Sequence, residues 1–127
     1  MRCIFYEFVM REPIVQCKQG DCEFDVLAKL FRLLGFPGDD CSIFENSPYH
    51  GAFNHCKECY PRLRELIPAA PLVGMRYLTN NGVDLMYQLL EFDPKKRISA
   101  EDALNHPYFK EMPKMKRPEE MPVFDKV

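Results

Sequence analysis

The sequence predicts a mainly helical protein in which short helices are joined by irregular loops. Apolar residues recur at helical spacing in several stretches, and no run alternates apolar and polar residues for long. Eleven prolines punctuate 127 residues, which keeps the helices short. The length is that of one domain, and 46% hydrophobic residues can supply a core.

The first helix is expected over residues 1–10, where Ile4, Phe5, Phe8 and Val9 repeat at helical spacing. It starts at Met1 without an N-cap, although a helix needs its first four N–H groups satisfied. It therefore reads as the cut end of a longer helix. The second is better formed. Asp21 can cap it, Glu23 and Asp25 place negative charge at its positive end, and Gly35 with Pro37 stops it. Val26, Leu27, Leu30, Phe31, Leu33 and Leu34 form its apolar stripe and leave Lys29 and Arg32 outside. Residues 37–80 are proline-punctuated and expected to be mostly irregular. Asn80 and Asn81 then offer caps for a third helix from about Val83 to Glu91, with Val83, Leu85, Met86, Leu89 and Leu90 inward. Asp93-Pro94 opens a turn. Ser99, three residues before Asp102, caps a fourth helix that Pro107 ends. The tail, Pro113 to Val127, is charged and proline-rich and is expected to lie extended on the surface.

Bulk properties exclude several classes. A net charge of −2 with interspersed signs favours neither nucleic acid nor an anionic membrane. The apolar opening is broken by Glu7 and by Arg11-Glu12-Pro13, so it does not read as a signal peptide. No stretch approaches the roughly 20 apolar residues of a membrane span. Without a secretory signal, six cysteines read as reduced thiols in a nuclear or cytoplasmic protein.

Three stretches resemble the large lobe of cyclin-dependent protein kinases, serine/threonine kinases of the CMGC group. "CIFYEF" (Cys3 to Phe8) is similar to the back half of that family's buried helix F. "GDCEFDVLAKLFRLLGFP" (Gly20 to Pro37) resembles the segment opening helix G. "NGVDLMYQLLEFDPKKRISAEDALNHPYF" (Asn81 to Phe109) resembles helices H and I. The tail is similar to the PITSLRE-type branch. The resemblance implies a partial kinase C-lobe over residues 1–110, with an insert-like region at 38–80, and an extended tail over 111–127. The helices would then have evolved to cover neighbours outside this chain, so loose packing is expected at residues 1–20 and 38–79.

The family's activity is ATP-dependent protein phosphorylation, with ATP and magnesium as cofactors and cyclins or other kinase regulators as protein partners. Phosphoryl transfer needs a glycine-rich loop, a lysine for the phosphates, a catalytic aspartate and carboxylates for magnesium. The sequence contains no G-x-G-x-x-G, no H-R-D and no D-F-G. No catalytic or cofactor-binding residue can be carried over, and the chain alone is expected to be inactive. Arg97 stands where the family has the arginine that pairs with the glutamate of the A-P-E motif. Here it would turn to solvent, pair with Asp93 or another acid, or receive a glutamate from another chain. Lys29 and Arg32 are candidates for partner contact, by analogy with the family's regulatory platform.

Two other clusters invite chemistry. His50, His55, Cys56 and Cys59 offer two nitrogens and two sulfurs to a Zn²⁺, with Cys56 and Cys59 at Cys-x-x-Cys spacing. His55 and Cys56 are adjacent, however, and four ligands within ten residues crowd the backbone, so a loop of reduced thiols is preferred. His106 has no nucleophile beside it and is expected to touch terminal carbonyls of the fourth helix. Three functions remain in view: a non-catalytic part of a cyclin-dependent-like kinase, an interaction module presenting the G–H–I surface, and a small zinc-binding protein.

Overall fold

The computed structural model describes residues 2–38, 41–44, 47–70 and 76–123. All regular elements among them are helical: α1 (Arg2–Met10), α2 (Glu23–Leu34), α3 (Leu63–Leu66), α4 (Asn80–Leu89) and α5 (Ala100–Leu104). Short 3-10 turns follow at His50–Cys56, Pro107–Lys110 and Pro118–Glu120. Among the described residues, no helix is long and apolar enough to cross a membrane.

The inward face of α1 differs from the predicted stripe. Tyr6 and Met10, one helical turn apart, are buried, with Phe5 and Val9 beside them. Ile4 is 49% exposed and Phe8 79% exposed. Apolar and aromatic side chains occur almost all round this short helix, so periodicity alone cannot choose its face.

Helix α2 begins one residue later than expected, with Cys22 as N-cap. The Asp25 carboxylate reaches back to accept the Cys22 N–H at 2.9 Å. Asp21 instead accepts the Lys18 N–H at 2.7 Å and the Lys29 ammonium. Gly35 ends the helix at φ 89° and ψ 159°, its N–H donating to the Phe31 carbonyl at 2.9 Å. Phe31 is fully buried and meets Phe36, Phe53 and Phe92 with ring centroids 5.0–5.2 Å apart.

The cap of α4 is Thr79 rather than Asn80 or Asn81. Its hydroxyl accepts the Gly82 N–H at 3.1 Å and donates to Glu111 at 2.7 Å. Asn81 donates to the other Glu111 oxygen, also at 2.7 Å. A carboxylate at the positive end of the helix is favourable. Val83, Leu85 and Met86 are buried. Gly82 admits close packing: a Cβ there would stand 2.5 Å from Leu78 Cγ and 3.0 Å from the Tyr108 ring. Ser99 caps α5 as expected, accepting the Asp102 N–H at 3.0 Å and donating to its carboxylate at 2.7 Å.

The core divides in two. Tyr6 and Met10 join Leu63, Ile67, Leu78, Val83 and Met86. Ala28 and Phe31 join Cys41, Phe44, Phe53 and Cys56. More than half of these thirteen residues come from positions 38–79, where loose packing was expected. The described residues of that segment include the 3-10 turn His50–Cys56 and the single-turn helix α3, and their apolar side chains close both clusters. Residues 112–123 are exposed.

Candidate functional site

The link from α4 to α5 is organised by one acid and one arginine. Asp93 is 3% exposed. It accepts the Ser42 hydroxyl at 2.5 Å, the Ser42 N–H at 3.2 Å and the Lys95 N–H at 2.9 Å. The Ser42 hydroxyl first, and then the Lys95 N–H, hold its carboxyl below the usual range. A depressed folded pKa contributes stability that is present above the unfolded value, near 3.9, and is lost as pH falls through the folded value. Unfolding below about pH 4 is therefore expected to be less acid-sensitive in Asp93→Asn than in the parent, read as the change in denaturant midpoint from neutral pH.

Arg97 is half-buried and takes none of the carboxylates foreseen for it. Its Nε donates to the Glu91 carbonyl at 2.8 Å and its Nη2 to the Phe92 carbonyl at 3.2 Å. These carbonyls follow the end of α4, where a cation is favourable. Among the described residues no carboxylate pairs with Arg97. Arg97→Ala is expected to lose about 1.5–3 kcal/mol of stability. Arg97→Lys should restore only part of it, since an ammonium lacks the planar fork. Equilibrium denaturation of both variants checks this.

Arg64 does comparable work that sequence reasoning missed. Its guanidinium donates to the Ile67 carbonyl, to the Leu78 carbonyl at 2.8 Å and to Asn80 Oδ1 at 3.1 Å, tying α3 to the start of α4. Nothing in "PRLREL" separates it from the exposed Arg62, because its three acceptors converge only after folding. His106 also differs from expectation. It is buried, its Nδ1 accepts the Tyr108 N–H at 3.2 Å, and its Nε2 therefore carries the proton facing Asp84 at 3.0 Å. Its side chain bridges to α4, and it is its backbone N–H that reaches a carbonyl of α5, that of Ala103 at 3.1 Å.

The candidate contact residues behave differently from each other. Lys29 is half-buried, bonded to Asp21 and to the Gln16 carbonyl at 3.1 Å. Arg32 is exposed at the rim of a cleft of about 210 Å³ that also includes Lys29, Phe53 and His55. Next to it, Phe24 and Tyr49 make an edge contact at 5.4 Å while remaining 43% and 59% exposed. A larger groove of about 800 Å³ runs between α1, the start of α4 and the segment after α5.

Of the four zinc candidates, Cys56 is buried, Cys59 half-buried and His55 exposed on the cleft; the side chain of His50 lies outside the described residues. Among the described residues no group of three or more His, Cys, Asp or Glu is placed to hold a metal ion.

No protein-family model matches the chain. Curated proteins do. Cyclin-dependent kinase G-2 of Oryza sativa is 38% identical over 122 residues, 96% of this chain and 17% of that protein. Serine/threonine-protein kinase ppk23 of Schizosaccharomyces pombe is 38% identical over 124 residues, covering 96% and 28%. Cyclin-dependent kinase 11 of Dictyostelium discoideum is 37% identical over 123 residues, covering 96% and 31%. Among solved structures, a MAP kinase of Leishmania major superposes with a TM-score of 0.55 at 26% identity, over 86% of this chain and 30% of that one. The chain thus spans 17% to 31% of the length of these three curated relatives. With helices alone among its described residues, it has the fold of a partial protein-kinase C-lobe. Over 96% of its length, its sequence is similar to a minor part of proteins named as cyclin-dependent kinases.

Proposed function

We propose that this chain is the C-terminal part of the large lobe of a cyclin-dependent-like serine/threonine kinase, and that by itself it transfers no phosphate. The observation that carries the reading is the match of 96% of the chain to a minor share of kinases named as cyclin-dependent. The lobe would occupy residues 1–110 and the extended tail 111–127, in a nuclear or cytoplasmic protein close to the PITSLRE-type branch. The parent activity is ATP-dependent phosphorylation. ATP and magnesium belong to that parent, because the sequence has no glycine-rich loop, H-R-D or D-F-G to hold them. Arg97 would meet the A-P-E glutamate of the complete lobe, adding a carboxylate to the carbonyls it already holds. Calorimetric titration of the 127-residue protein with ATP and magnesium should give no heat of binding. Millimolar or tighter affinity overturns the reading.

A second reading, a protein-binding module acting without catalysis, is favoured by the exposed Phe24–Tyr49 pair next to Arg32. Aromatic residues and arginine concentrate binding energy at protein interfaces. On this reading, Arg32→Glu should weaken binding of a purified kinase regulator at least about tenfold, and unchanged affinity in surface plasmon resonance would rule it out for that partner.

A further inference from the structure

The turn from Cys56 to Cys59 holds two thiols together. It is closed by the Cys59 N–H donating to the Cys56 carbonyl at 2.9 Å, and Cys59 packs against the cluster that contains Cys56. Both ends are anchored. Cys56 is completely buried in the cluster around Phe31, while the Cys59 carbonyl accepts the Phe36 N–H at 3.0 Å beyond the exit of α2. Neighbouring Arg62 donates its N–H to the Leu33 carbonyl at 2.9 Å, which fastens the chain leaving the turn. The pair is also asymmetric. Cys59 is partly exposed, whereas Cys56 has no contact with solvent. Cys3, Cys17 and Cys22 are exposed, and Cys41 is buried elsewhere in the same cluster.

We propose that Cys56 and Cys59 form a dithiol oxidation site that hydroperoxides convert to an intrachain disulfide. The Cys59 thiolate attacks one peroxide oxygen, the O–O bond breaks, and the departing hydroxide takes up a proton as water. Cys59 is left as a sulfenic acid. Cys56 then attacks that sulfur. The S–S bond forms, the S–O bond breaks, and hydroxide leaves with the Cys56 proton as a second water. Two thiols are oxidised to one disulfide while one hydrogen peroxide is reduced to two waters.

The asymmetry assigns the order. Burial, with Cys59 beside it, pushes the Cys56 thiol up, so Cys56 stays protonated and shielded until its neighbour has been oxidised. A resolving thiol in the same closed turn also protects Cys59 from further oxidation, because ring closure competes with a second peroxide.

The test uses the full 127-residue chain with Cys3, Cys17 and Cys22 changed to Ser, reduced and then treated with hydrogen peroxide. Intact mass should fall by one H2, fragmentation should link Cys56 to Cys59, and Cys41 should alkylate after denaturation. Cys59→Ser, at the partly exposed position, should abolish the disulfide. As Cys56→Ser alters a buried position, phenylarsine oxide binding by the unoxidised protein gives an independent reading. One equivalent should bind, and Cys59→Ser should eliminate it. A Cys41–Cys56 bridge, sulfinic acid at Cys59 without a disulfide, or no arsenical uptake by the folded protein would each overturn the proposal.

Discussion

Phe31→Ala is expected to lose about 3–5 kcal/mol of stability, in the range for removing a buried aromatic ring. The reason lies in what meets at that ring. Phe31 on α2 touches Phe36 from the exit of the helix, Phe44 and Phe53 from residues 38–79, and Phe92 from the α4–α5 link. The void would sit where these separate parts of the chain converge, and none of them can move in without leaving another contact. Aromatic edge contacts add about 0.5–1.5 kcal/mol each beyond buried area. Phe31→Leu should lose clearly less, since it keeps most of the volume. Denaturant titration followed by tyrosine fluorescence would measure both, and a loss below about 1 kcal/mol for alanine would show that the cluster relaxes around the gap.

Gly35→Ala comes next in size. Its φ of 89° and ψ of 159° fall where residues with a Cβ are rarely found, at a cost of about 1–3 kcal/mol. The added carbon would also stand 2.9 Å from Pro61 Cδ and 3.0 Å from the Pro61 nitrogen. A proline ring has little freedom to retreat, and its backbone is held by the Arg62 N–H bond to Leu33. Strain and overlap together should cost at least about 2 kcal/mol. Thermal unfolding would register this as a drop of several degrees, and an unchanged midpoint would mean that the α2 exit is not held as tightly as its geometry implies.

How far the sequence could be read depended on where each signal resided. Helices α2, α4 and α5 were legible because their caps, charges and apolar spacing are local. Even there the cap moved, from Asp21 to Cys22 and from Asn80 to Thr79, because Asp21 found Lys29 and Thr79 found Glu111. The core contribution of residues 38–79 was not legible. Phe44, Phe53, Leu63 and Ile67 follow no regular period and are buried by partners distant along the chain. Arg97 was singled out as a cation requiring an explanation. That it would rest on the carbonyls of Glu91 and Phe92 depends on how α4 ends, which no residue spacing announces. The likeness to cyclin-dependent kinases was legible from the stretches on either side of residues 38–79. The surface around Phe24 and Tyr49 was not, since it exists only once the 3-10 turn at His50–Cys56 comes to rest against α2.

Glu111 lies past the last helix of the lobe, yet both its oxygens are engaged by the beginning of α4, through Thr79 and Asn81. A shortened polypeptide stopping at Lys110 would thus forfeit a latch thirty residues upstream, fraying a helix that is central to one of the two cores. Whoever trims this protein for expression should leave that glutamate in place.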